Sequence, residues 1–237
     1  PPPAPDPAPA PPSADPVSWA EPGETEPGET EPEAHRLARA RPGARPDRDA
    51  DIARRETAFF DALAGRWWDP RGPLAMLHWL ARARADLIPP ARTGHDLLLD
   101  LGCGGGLMAP YVSARGYRHV GVDLVPSALR LAAEHGVEVI RADLTALPFP
   151  DGCVDVVCAG EVLEHVADLD AVAREAVRVL RPGGLLVADT LAATRRSRLV
   201  AVRIAERLPG LALHGVHDPD LFVDRERMLS LFAGLGV

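Results

Sequence analysis

Glu161, Glu164 and His165 place two carboxylates and an imidazole within a short stretch of chain. On a helical turn, positions i, i+3 and i+4 share a face, so these three side chains could converge. Such a set can hold a divalent ion or take a proton. The donors do not single out a metal: carboxylate oxygens favour Mg²⁺, while the imidazole also suits Zn²⁺. A second concentration of chemistry lies upstream, where Asp100, Gly102, Gly104 and Gly106 alternate with other residues. Glycines let a backbone turn tightly and approach a ligand without a Cβ in the way. The dinucleotide fingerprint G-x-G-x-x-G fails because Leu107 stands at its third position, and a Walker loop fails for want of a lysine. Asp123 follows the first glycine by about 20 residues, the distance at which doubly wound nucleotide sites place a carboxylate on the ribose hydroxyls.

These residues need elements to hold them. The run 97–101 is apolar without alternation, as suits a strand buried on both faces. A helix is expected over 107–115, its N-terminal N–H groups facing the ligand of the glycine loop. Residues 119–124 form a second short strand ending at Asp123. Helix 127–135 follows, closed by Gly136 at its C′ position. Strands are expected at 137–142, 154–159 and 185–189. An amphipathic helix over 169–180 precedes the last of them and is ended by Arg181, Pro182, Gly183 and Gly184. Strands alternating with helices predict an α/β fold with a parallel, Rossmann-like sheet flanked by helices. Before it, Ile52, Phe59, Phe60, Leu63 and Trp67 recur at helical spacing, and 74–88 resumes the pattern until Pro89 and Pro90 end it. These two N-terminal helices are expected to cap the site.

The glycine stretch resembles motif I of the class I S-adenosylmethionine (SAM) methyltransferases, and several further stretches resemble one subfamily, the ubiquinone-biosynthesis O-methyltransferases. They are Trp67-Trp68-Asp69-Pro70 with Gly72, Leu77, His78 and Arg84; the run 100–106; the run 160–166; and Ser197-Arg198-Leu199 through His217-Asp218-Pro219 and Phe222. The resemblance implies that Asp100, Gly102, Gly104, Gly106, Asp123, Leu124 and Gly160 line the SAM site. It implies that Arg84 reaches the SAM carboxylate and that Asp143, with Leu144, receives the adenine. It associates Glu161, Glu164 and His165 with a magnesium-type ion; a helix-entry cap without metal, His165 as general base, and a solvated His165 with no catalytic role are the other readings. It also implies a phenolic small-molecule acceptor, a catechol-like quinone precursor. The chain departs from the family pattern at Ala81-Arg82 and again around Ala193-Thr194-Arg195, which leaves the acceptor open.

Composition sets the remaining bounds. The net charge is −8, so charge-driven nucleic-acid binding is not expected. Cys103, Cys153 and Cys158 show no C-x-x-C spacing, which fits a reducing, cytoplasmic setting. Residues 1–48 are dense in Pro, Ala and Glu and read as a disordered tail, and 49–237 as the methyltransferase domain. Within 194–213, arginines interleave with Leu199, Val200, Val202, Ile204 and Leu208, a pattern that suits a peripheral membrane contact or a solvated helix packed on the fold. Val237 reads as the start of the antiparallel strand pair that normally finishes this fold. The competing functions are a methyltransferase of another acceptor atom (O, N or C) and a non-catalytic SAM-binding module.

Overall fold

The computed structural model describes residues 64–72, 74–190 and 223–237. A 3₁₀ turn at Ala64–Arg66 leads to helix α1 (Ala75–Asp86). Then follow β1 (Leu97–Leu101), α2 (Ala109–Ala114), β2 (Arg118–Asp123), α3 (Pro126–Glu134), β3 (Glu138–Arg141), β4 (Val154–Gly160), α4 (Leu169–Val179), β5 (Leu180–Asp189) and α5 (Arg225–Gly234). The strands form one sheet in the order β3-β2-β1-β4-β5, and every pairing is parallel. The order reverses between β1 and β4. In open α/β sheets, ligands bind outside the carboxyl ends of the strands at that point.

The unbroken apolar runs are explained by the two faces of the sheet. Leu98, Val156, Cys158 and Val187 point toward α1 and α2 and pack with Ala81, Ala85, Ile88 and Val112. Leu99, Leu101, Val157 and Ala159 point the other way, toward α4 and its Val172, Ala176 and Val179. Successive residues of a strand alternate faces, so a strand covered on both must be apolar throughout. Helix α4 begins at Asp168, whose carboxylate accepts the Ala171 N–H at 2.9 Å. Helix α3 ends as expected at Gly136, with φ of +84°. There the Val137 N–H reaches Ala132 O and the Gly136 N–H reaches Ala133 O, the paired bonds of a Schellman motif.

Two expectations are revised. Helix α2 starts at Ala109 rather than Leu107 and is only 6 residues long. Its first N–H is already given to Gly106 O at 2.9 Å, so that helix end does not present its donors to a ligand. Leu180 belongs to β5, not to the helix before it. Val154 pairs with Leu180 and Val156 with Leu185, so residues 181–184 are looped out of the ladder. Asp100 is buried below the glycine loop. The first N-terminal helix before residue 64, the 1–48 tail, the 194–213 segment and the His217-Asp218 pair lie outside the described residues.

Candidate active site

The glycine loop is tied to β2. Gly102 and Cys103 both give their N–H groups to Val122 O, at 2.8 and 3.1 Å. Gly104 donates to Asp123 Oδ2 at 2.9 Å, and the other oxygen of Asp123 accepts the Val125 N–H at 2.9 Å. Gly102, Gly104 and Gly106 have φ of +66°, +50° and +77°. This left-handed region is costly for any residue with a Cβ. A Cβ on Gly102 would also strike Val162, and one on Gly104 would strike the Trp67 ring.

Asp123 is the strongest cofactor candidate. Burial raises its carboxyl above the ordinary range, and the N–H donors from Val125 and Gly104 partly oppose this. Each oxygen accepts one N–H and retains a lone pair for a ribose hydroxyl. Leu124, 53% exposed, offers an apolar surface beside it. Asp100 sits beneath the loop, its Oδ2 3.3 Å from His119 Nε2, and both residues are buried. His119 Nδ1 has no hydrogen-bond partner among the described residues. Asp143 spends Oδ1 on the Thr145 N–H and hydroxyl, both at 2.8 Å. The Leu144 side chain enters the core.

The end of β4 carries the second half of the site. Gly160 lies against the Arg84 guanidinium so closely that a Cβ there would overlap it. Arg84 donates from Nε and Nη2 to the two oxygens of Asp189 at 2.7 and 3.0 Å. Asp189 Oδ1 also accepts the Glu161 N–H at 3.0 Å. Glu161 is the one non-glycine residue with positive φ, +52°, among the described residues. Burial first, then the charges of Glu164 and Asp189, push its carboxyl up to about 8, against the pull of Arg84. Glu164 is buried; its Oε2 accepts the Thr190 hydroxyl at 2.7 Å, and its Oε1 has no hydrogen-bond partner among the described residues.

The single helical face expected for Glu161, Glu164 and His165 does not form. Glu161 lies before the turn, in the left-handed region, and Val162 has φ of −123°. Only Leu163–His165 is helical, as one 3₁₀ turn. Among the described residues no three His, Cys, Asp or Glu side chains are grouped so as to hold a metal ion. The residues present therefore do not fit the Mg²⁺ expectation, although Glu161 and Glu164 are near enough to feel each other's charge. His165 is half-buried at the end of that turn, its N–H on Val162 O at 3.0 Å.

Two aromatic residues quoted from the sequence prove to brace the loop. Trp67 is buried against Gly104 and Gly105. Trp68 donates from Nε1 to Gly105 O at 2.9 Å and stacks on the His135 ring, with centroids 3.7 Å apart. His78 Nε2 reaches Trp67 O at 2.8 Å, joining α1 to the same cluster. Periodicity marked Trp67 only as an apolar helix position. The adjacent Trp-Trp dipeptide before a glycine-rich loop was the available signal.

Similarity to known proteins agrees with this geometry. Residues 99–188 match the family model of a methyltransferase domain. The ubiquinone biosynthesis O-methyltransferase of Methylobacterium sp. (strain 4-46) is 34% identical over 196 residues, covering 75% of this chain and 79% of that protein. The protein of the same name from Alkalilimnicola ehrlichii is 36% identical over 177 residues, covering 71% and 72%. Among solved structures, a SAM-dependent methyltransferase of Thermotoga maritima, described as a possible histamine N-methyltransferase, superposes with a TM-score of 0.57 at 18% identity, covering 76% of this chain and 80% of that one. That likeness establishes the fold.

Proposed function

The chain belongs to the ubiquinone biosynthesis O-methyltransferase family, and from that premise we propose that its acceptor is a hydroxyl of a catechol-like quinone precursor or a related phenol. The protein is a SAM-dependent methyltransferase. The observation that carries the cofactor assignment is Asp123, which fixes the glycine loop through Gly104 and keeps acceptor capacity for a ribose. When bound, SAM supplies an electrophilic methyl group on a sulfonium.

The chain's own residues then have three tasks. Gly102, Gly104 and Gly106, with Asp123 and Leu124, hold the nucleoside half at the switch point, and Asp143 receives the adenine amino group. Arg84, buried and fixed against Gly160, receives the cofactor carboxylate with the N–H donors it does not spend on Asp189. The third task is the acceptor proton. A phenol is a poor nucleophile at neutral pH until it loses that proton. His165 is the proposed base: its imidazole would take the hydroxyl proton, leaving the acceptor oxygen nucleophilic toward the methyl group that SAM would supply. Positioning of the acceptor oxygen by the chain would contribute the remaining acceleration. No step is assigned to Mg²⁺, because Glu161, Glu164 and His165 are not arranged to bind it.

No helix among the described residues is long and apolar enough to cross a membrane. The arginine-and-apolar alternation within 194–213 supports a peripheral lipid contact, fitting an acceptor with an isoprenoid tail. Binding of the full chain to vesicles, lost when Arg195, Arg196 and Arg198 become Glu, checks this contact.

The first measurement is a calorimetric titration of SAM and of NADH into the full chain. SAM binding with no NADH binding supports the cofactor assignment. A panel of catechols, monophenols and amines, each with EDTA or with Mg²⁺, then identifies the acceptor. Methylation of a catechol in EDTA, lost in His165→Gln with SAM affinity kept, is the expected result. Turnover confined to amines would refute the phenolic reading, and turnover only with Mg²⁺ would refute the metal-free one.

A further inference from the structure

Asp189 closes β5 and has been given no role of its own, yet it contacts both Arg84 and the Glu161 N–H at the end of β4. Its two oxygens take the Nε and Nη2 donors of Arg84 at 2.7 and 3.0 Å, a side-on bidentate pair. Arg84 is 8% exposed and Asp189 33%. The guanidinium is flattened against Gly160, where a side chain would overlap it. The plane of Arg84 is thus fixed on one edge by Asp189 and on one face by bare backbone. An arginine side chain loses most of its rotamer freedom when immobilised, and here that ordering is complete before any ligand arrives. The remaining N–H donors are not committed to Asp189 and keep a fixed direction.

We propose that Asp189 is a positioning residue for cofactor binding: it orients Arg84 so that the guanidinium receives the carboxylate at the amino-acid end of SAM. The inference rests on the SAM-binding reading and on Arg84 as the carboxylate's partner. Asp189 carries a like charge to that carboxylate, so its presence has an opposing effect. Were repulsion dominant, removing Asp189 would tighten binding. The geometry favours orientation, because one guanidinium can serve two carboxylates on different edges, whereas an untethered Arg84 would have to be ordered by the ligand. Sequence reading did not reach Asp189, since a lone acid at a strand end is usually a cap.

The test compares SAM with decarboxylated SAM, which keeps the amine and lacks only the carboxylate. Both are titrated into the wild-type chain, Asp189→Ala, Asp189→Asn and Arg84→Ala. Asp189→Ala is expected to weaken SAM by about tenfold or more, the scale of a lost charge-assisted hydrogen bond. Decarboxylated SAM should bind wild type and Asp189→Ala alike, a result that general disruption of the fold would not give. Asp189→Asn, near in shape and with one acceptor oxygen, should fall between, and it carries the test if the alanine variant does not fold. Adding Asp189→Ala to Arg84→Ala should cost nothing more. Unchanged or tighter SAM binding in Asp189→Ala and Asp189→Asn would overturn the proposal, as would equal losses for both ligands. Failure of the wild type to bind either ligand would instead overturn the cofactor reading beneath it.

Discussion

Replacing Gly106 by alanine, with Gly136→Ala as its partner, separates backbone strain from crowding at the cofactor loop. Both glycines are left-handed, with φ of +77° and +84°. A methyl group at either position costs about 1–2 kcal/mol for that conformation alone. The two differ in surroundings. A Cβ on Gly136 meets nothing within 4 Å. One on Gly106 would lie 2.9 Å from Ala132 Cα, 3.0 Å from Ala132 Cβ and 3.1 Å from Val137 Cγ2. The first of these is backbone in α3 and cannot rotate away, so the loop itself must shift. Overpacking of this kind adds about 1–3 kcal/mol. For a domain of this size about 1 kcal/mol moves the melting temperature by about 2–4 °C. Gly136→Ala should therefore melt about 2–8 °C lower than wild type, and Gly106→Ala about 4–20 °C lower. Differential scanning calorimetry on both variants measures the difference directly. Calorimetric titration should show weakened SAM binding in Gly106→Ala only, because its shift passes to Gly104 and Asp123. Equal melting temperatures for the two, with SAM affinity kept in both, would refute the placement of Gly106 against α3.

Three further outcomes follow from the site. Asp123→Asn keeps one acceptor oxygen but turns an amide N–H toward Gly104 or Val125, and should weaken SAM about 10–100-fold by titration; unchanged affinity would remove Asp123 from the site. Trp68→Phe keeps a ring on His135 but loses the bond to Gly105 O, and should cost about 1 kcal/mol in denaturant unfolding; an unchanged midpoint would show that this bond does not brace the loop. Glu161 has its carboxyl pushed up to about 8 from an ordinary 4.5. The folded state therefore binds the extra proton between those values, and stability falls as pH rises through that window. Wild type in EDTA should lose about 2 kcal/mol between pH 6 and pH 8, a slope absent from Glu161→Gln; parallel curves for the two would refute the assignment.

Much of the fold was legible because it rests on local pattern. Strands buried on both faces must be apolar throughout, so β1 and β4 declared themselves, as did the glycine loop between β1 and α2. Gly136 was legible as a helix stop because only a left-handed residue closes a Schellman turn cheaply. The boundary at Leu180 was not legible. Pairing with Val154 across the sheet decided it, and local propensity carries no information about a partner 26 positions away.

The site divides in the same way. By itself the sequence determined the residue types and their order along the chain: glycines after an apolar run, an acid about 20 residues on, and paired glutamates beyond β4. Tertiary structure decided which groups meet. It buried Asp100 against His119, and it took Glu161 out of the turn that holds Glu164 and His165. It joined Arg84 to Asp189, 105 positions apart, and set the Trp67-Trp68 dipeptide on a loop 37 positions downstream. The physical reason is that propensity and periodicity act over a few residues, while an ion pair or a stacked ring depends on where the sheet brings distant segments together. A motif therefore predicts its own backbone well and its partners poorly.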